Sequence, residues 1–282
     1  MDALQDPDIF TYKTLLVSAG HTYRYIDQQP PGQQQPPPTV LCLHGFSKPK
    51  EVEAYGKASM CKSLNEILRH EGVSGRITIV SHDWGSVLAA RFLSYYPEKV
   101  LSWATRGLLD VCVMRRNRLC VPPTAPGQLP SGIDYVQMIR KHIPQFGGLE
   151  KSIQDKLVKF KGQSFVSEGV LQKQLLEVGK ELESITIEDP ETAYFVSEMK
   201  KDGLSAALNW YRVRTVDQKD EEEAGLPVAF SSDMRCLFIG APEDAACPPG
   251  MLTEAKKAQL FPSGNLDCIN IEGGDHFLFE AS

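Results

Sequence analysis

The stretch from Ile77 to Pro97 limits this chain more than any other. Ile77-Thr-Ile-Val80 is a short apolar run of the kind a buried parallel strand gives. It passes into Ser81-His82-Asp83-Trp84-Gly85-Ser86, and a helix-forming segment then runs through Tyr96 to a stop at Pro97. A strand that breaks so sharply into a helix can hold one side chain clear of the sheet. The positions two before it, and two and three after it, must then be small. With Asp83 at the apex these are Ser81, Gly85 and Ser86; with Ser81 there they are Ile79, Asp83 and Trp84, which do not fit. The turn therefore selects a carboxylate over a hydroxyl as the exposed nucleophile. The competing reading makes Asp83 a plain helix N-cap, and leaves Trp84-Gly85-Ser86 as odd first-turn residues.

The rest of the chain supplies the sheet around that turn. Phe10–Ser18 and His21–Gln28 alternate and read as an opening hairpin joined at Ala19-Gly20. Pro30 to Pro38 is a loop. Val40-Leu-Cys-Leu43, ending in His44-Gly45, is a second buried strand, and Lys57–His70 has helical apolar spacing. Further strands are expected at Val100–Thr105, Arg235–Gly240 and Leu266–Ile271, and a helix at Leu252–Leu260. Between about 124 and 227 the pattern is helical. Strand–helix alternation broken by a helical lobe gives an α/β fold with an inserted cap: core over 1–123 and 228–282, cap over 124–227.

Charge and cysteines bound the partners. A net charge of −6 excludes the basic face of a general nucleic-acid binder, and Met114-Arg-Arg-Asn-Arg118 is too short to supply one. No run approaches a membrane span, and the first ten residues lack the pattern of a secretory signal. Seven scattered cysteines without C-x-x-C spacing read as free thiols of a reducing compartment, so a cytoplasmic location is expected. The run Lys219-Asp-Glu-Glu-Glu223 reads as a solvated loop.

A carboxylate that attacks carbon becomes an ester, and a base must activate water to release it. His276, in Gly273-Gly274-Asp275-His276 after the last strand, is the candidate. His21, His70 and His142 sit on surface-like segments. An acid must orient the base; Asp244, in the loop after Arg235–Gly240, is preferred over Glu243, Asp267 and Asp275. Phe46, after His44-Gly45, and Trp84, after the nucleophile, are placed to offer backbone N–H groups to an oxyanion.

These segments together resemble an epoxide hydrolase of the α/β-hydrolase superfamily: L-C-L-H-G-F, I-V-S-H-D-W-G-S, L-N-W-Y-R, the Asp244 loop and G-G-D-H-F. The resemblance implies an α/β-hydrolase fold with a mostly parallel sheet and a helical cap. It implies an epoxide and water as substrates, and no metal or organic cofactor. Asp83 is then the nucleophile, with His276 and Asp244 as base and orienting acid. Tyr211, in Asn209-Trp210-Tyr211-Arg212, hydrogen-bonds and protonates the epoxide oxygen. Trp84 and Tyr211 line the substrate site. Haloalkane and haloacid dehalogenases share the Asp83–His276 pair and are the alternative, with a catalytically inactive remnant as the other.

The chain departs from the superfamily at four joints. Eight residues separate Phe46 from Tyr55, where a helix and another sheet strand with their loops need roughly 25–35. Ser47 stands where proline is usual. Arg106–Arg118 interrupts S-W-A-T and C-V-P-P, and no tyrosine soon follows Gln145–Gly148, Tyr194 being distant. The chain runs six residues past His276, so no closing helix is expected. The core is therefore expected to lack an inner strand, with unpaired strand edges and exposed apolar surface, and to work slowly if at all.

Overall fold

The computed structural model describes residues 10–29, 38–45, 55–106, 210, 213–242, 244 and 249–274. They form β1 (Tyr12–Leu16), β2 (Thr22–Ile26), β3 (Val40–Leu43), α1 (Lys57–His70), β4 (Ile77–His82), α2 (Trp84–Tyr95) and β5 (Val100–Arg106). α3 (Arg214–Glu223), β6 (Arg235–Gly240), α4 (Glu254–Leu260) and β7 (Leu266–Asn270) follow. They fall into two compact units. The first takes the described residues of Met1–Asn117, Asp202–Gly240 and Pro249–Ile271; the second holds Ala241, Pro242, Asp244 and Glu272–Gly274.

The expected strands are all present. β3-β4-β5-β6-β7 run parallel in that order, and β1 and β2 make a separate antiparallel hairpin. Gly20, with φ 82°, turns the hairpin in the left-handed region that favours glycine. One face of the sheet is packed: Ile77 and Ile79 of β4 join Met60, Leu64 and Leu68 of α1 and Val87, Phe92 and Leu93 of α2 in a single apolar core. The register places Val40, Cys42, Val80, Ala104, Leu237 and Ile269 on the opposite face. There Val40 is 54% and Ile269 46% exposed. Among the described residues β3 pairs with β4 alone, and no strand joins its other edge to the hairpin. A two-strand sheet set apart from a five-strand sheet is the arrangement expected of an α/β core short of an inner strand.

Two sequence readings need correction. The run at 219–223 is the end of α3, not a loop, and Glu221 pairs with the buried Arg91 of α2. Local charge density suggested solvent, but the partner lies far away in sequence. The helix before β7 starts at Glu254 rather than Leu252, because the Thr253 side chain caps it by accepting from Lys256 N at 3.4 Å. The insertion at Arg106–Arg118, beyond Arg106 itself, and the segment from 124 to 209 lie outside the described residues.

Among the described residues no helix is long and apolar enough to cross a membrane. Among the described residues Cys42, Cys61 and Cys268 are free thiols, and burial pushes the Cys61 thiol well up.

Candidate active site

Asp83 closes β4 and opens α2 with φ 53° and ψ −128°, the only non-glycine residue with positive φ among those described. Such a backbone costs a residue with a side chain about 1–3 kcal/mol, and it persists where the surroundings force one group into position. The N-cap reading fails here. A capping side chain accepts from the first turn of its own helix with its residue in extended backbone, whereas Asp83 accepts from Ser86 N only through its backbone carbonyl, at 2.9 Å, and its side chain makes no capping hydrogen bond.

The neighbours explain why the turn closes. A Cβ added to Gly85 would stand 2.2 Å from the Leu43 carbonyl oxygen, so β3 and the first turn of α2 meet only because that residue is glycine. A Cβ on Gly45 would lie 2.6 Å from Asp83 Oδ2. The His44-Gly45 turn therefore presses directly on the Asp83 carboxylate. Ser81 and Ser86 are buried, as the crowding rule requires. Ser81 Oγ accepts from Trp103 Nε1 at 2.8 Å.

The end of β5 braces the turn. The Arg106 carbonyl accepts from Asp83 N at 3.3 Å and from Ser86 Oγ at 3.2 Å. Arg106 Nη1 lies 3.1 Å from His82 Nε2. A guanidinium only donates, so His82 Nε2 is the acceptor and its proton resides on Nδ1. Sequence reading placed Arg106 at the start of a foreign insertion and missed this role. A brace made by a backbone carbonyl leaves no side-chain signal.

Behind the turn, Trp84 stacks on Trp210, with ring centroids 5.5 Å apart and planes 22° from parallel. Tyr55 meets Trp210 edge-on at 5.4 Å, and burial pushes its phenol up to about 12. Lys57 Nζ lies 4.9 Å from the Trp210 ring centroid and donates to Asp217 Oδ2 at 2.9 Å.

The other predicted residues divide. Asp244, in the second unit, is buried, and its backbone N–H donates to the Ala241 carbonyl at 3.0 Å. Its competitor Asp267 is on the exposed side of β7, 3.5 Å from Arg235. His70 is exposed at the end of α1. Phe46, Tyr211, Asp275 and His276 lie outside the described residues.

Comparison with known proteins bears on the fold that carries this turn. The family described as alpha/beta hydrolase fold matches residues 39–118, which span β3 to β5 and the sharp turn. Epoxide Hydrolase A from Mycobacterium thermoresistibile superposes with a TM-score of 0.58 over 95% of this chain and 92% of that one, at 18% identity. The chain has the α/β-hydrolase fold. Epoxide hydrolase VrEH1 from Vigna radiata gives the same TM-score over 96% of this chain and 92% of its own, at 17% identity. In sequence the chain is 23% identical to epoxide hydrolase srdG of Neurospora crassa, over 91% of this chain and 88% of that one. That alignment runs to 317 positions, so roughly sixty fall opposite gaps in this chain. The pig bifunctional epoxide hydrolase 2 is 27% identical over 59% of this chain, which spans only 30% of that protein.

Proposed function

We propose that this chain hydrolyses an epoxide to a vicinal diol through an ester on Asp83. The observation that carries the reading is the backbone of Asp83, held at positive φ with Gly45 against its carboxylate. A carboxylate oxygen of Asp83 attacks a ring carbon and the carbon–oxygen bond opens. Tyr211 gives its phenolic proton to the leaving oxygen; a phenol with an ordinary pKa near 10 is protonated at neutral pH and suits that task. His276, oriented by Asp244, then takes a proton from water. The hydroxide attacks the ester carbonyl, and the backbone N–H groups of Phe46 and Trp84 hold the oxyanion. Collapse breaks the ester carbon–oxygen bond, and the departing alkoxide takes the proton of the newly added hydroxyl as the diol leaves. Asp83 returns to a carboxylate, and the proton on His276 passes back to the Tyr211 phenolate. These steps call for no metal or organic cofactor. The division into a core of 1–123 and 228–282 with a cap over 124–227 is part of the same reading. A cytoplasmic location fits the scattered cysteines.

Turnover is expected to be slow, because the strand and helix that should follow Phe46 have no residues to form them. An error of about 1 Å in such a site costs on the order of 100-fold. The test is intact mass together with diol release. With an aryl epoxide, His276→Gln is expected to accumulate an adduct on Asp83, and Asp83→Ala to release no diol. Diol formation by folded Asp83→Ala at the parent rate would rule the mechanism out, and release of halide from a chloroalkane would favour a dehalogenase.

A further inference from the structure

β4 and β5 end flush: His82 and Arg106, the last residues of the two strands, are register partners in a parallel pair. Their side chains stand on one face of the sheet, and those of Ser81 and Thr105 on the other. Arg106 is 1% exposed and meets the nucleophile turn at three points. Its carbonyl accepts from Asp83 N at 3.3 Å and from Ser86 Oγ at 3.2 Å, and its Nη1 donates to His82 Nε2 at 3.1 Å. The residue before Asp83, Asp83 itself and the third residue after it are thus all tied to one residue of β5. Asp83 stands among them at φ 53°, a backbone that persists only where the surroundings over-determine it.

The two kinds of tie differ in what they need. The carbonyl bonds would survive any side chain at position 106. The bond to His82 would not. A guanidinium is costly to bury unless its hydrogen bonds are made, so an apolar residue could fill this place at less expense in solvation. What it could not do is hold the His82 ring. A donor on Nε2 leaves the proton on Nδ1 and fixes both the tautomer and the orientation of the imidazole.

We propose that the Arg106 side chain is a positioning residue for ester formation: by holding the His82 ring it keeps the turn closed around Asp83 and the Asp83 carboxylate aimed for attack. The proposal rests on Asp83 as the nucleophile.

The experiment uses the full chain in excess over styrene oxide, so that loss of epoxide reports ester formation whatever the rate of ester release. Arg106→Met is expected to slow that loss roughly 10- to 100-fold, the upper figure being what a misplacement of about 1 Å costs. His82→Phe removes the acceptor and keeps a ring. In that background Arg106→Met is expected to have no further effect, the mark of two groups acting through one contact. The His82 ring gives a readout that a merely structural role would not move. In isotope-labelled protein its Nε2 should show the resonance of an unprotonated acceptor, and Arg106→Met should shift the proton toward Nε2.

The parent rate in folded Arg106→Met overturns the proposal. So does an equal loss in both backgrounds, and so does a His82 tautomer that Arg106→Met leaves unchanged. Asp83→Ala separates the proposal from the reading beneath it. Epoxide loss at the parent rate in folded Asp83→Ala, or none in the parent, removes Asp83 as nucleophile and the proposal with it. Loss that Asp83→Ala abolishes and Arg106→Met does not touch overturns the proposal alone. If neither Arg106→Met nor His82→Phe folds, the contact is purely structural and the proposal falls.

Discussion

The hairpin and the five-strand sheet are both β-structure in the same unit, and they are held in opposite ways. The sheet is fixed by apolar packing: Ile77, Ile79, Trp103 and Phe238 are all 5% exposed or less and share one core with α1 and α2. The hairpin is fastened to α1 largely by polar groups. Ser18 donates from N and Oγ to Glu66 at 3.0 and 2.7 Å, Lys13 donates to Glu71 at 2.6 Å, and the Tyr25 hydroxyl donates to Glu71. Its outer face leaves Leu16 66% and Ile26 48% exposed. A hairpin of two strands is marginal in water unless more strands or a packed helix support it. The difference shows what the short Phe46–Tyr55 link costs. Among the described residues no strand carries the sheet across to the hairpin, and the hairpin's side-chain hydrogen bonds to the rest of the unit run to Glu66 and Glu71 at the end of α1.

That contrast breaks first if the core proves shallow. Phe92 of α2 is fully buried in the core that the sheet shares with α1 and α2. Phe92→Ala is expected to cost about 3–5 kcal/mol in denaturant unfolding, with hairpin and sheet lost together because α1 leans on α2. A loss below 1 kcal/mol would show that the apolar core does not carry the sheet.

A smaller effect is expected where β3 meets the nucleophile turn. Gly85→Ala puts a Cβ 2.2 Å from a backbone oxygen that cannot rotate away. Overpacking of this kind costs about 1–3 kcal/mol. Diol formation should fall further than stability does, because β3 carries the Gly45 turn against Asp83. If Gly85→Ala has the parent melting temperature and rate, β3 and α2 are not in the close contact described.

These two sites mark what could be read from sequence. The strands and the turn were legible because each is a local pattern: a run of four to six apolar residues, or three small residues at fixed offsets from Asp83. The core's shortfall was legible as arithmetic on the Phe46–Tyr55 link. Lys57, Asp217 and Glu221 were not. Each is a charge on an amphipathic helix, which locally says solvent, and each acquires its meaning from a partner more than a hundred residues away. The Glu71 contacts to the hairpin were hidden in the same way, its partners Lys13 and Tyr25 lying 58 and 46 residues away. Of the proposed machinery, Asp83, Trp84 and Asp244 lie among the described residues, while Phe46, Tyr211 and His276 do not.

The smallest effect expected is also the one that separates the two regions. Hydrogen bonds from Lys13 and then Tyr25 hold the Glu71 carboxyl below its ordinary range, and Lys13 does the same for Asp27. A carboxyl lowered in the folded state stabilises the fold at all pH values above its ordinary pKa. That contribution is lost as the pH falls through the lowered value. The hairpin should therefore stay docked from neutral pH to about 4.5, the ordinary value for a glutamate, and loosen only in stronger acid. Glu71→Gln imitates the protonated state at neutral pH: it keeps the shape and removes the charge that Lys13 seeks. Because these groups are partly exposed, salt screens them and the loss is small. Hydrogen exchange gives the readout. The amides of β1 and β2 should lose protection in Glu71→Gln, and added salt should reproduce part of that loss in the parent. The amides of β4 and β6 should be unchanged. Equal loss in β4 would mean that the hairpin and sheet open as one cooperative unit, and that the gap between them is filled by contacts stronger than the carboxylates of α1.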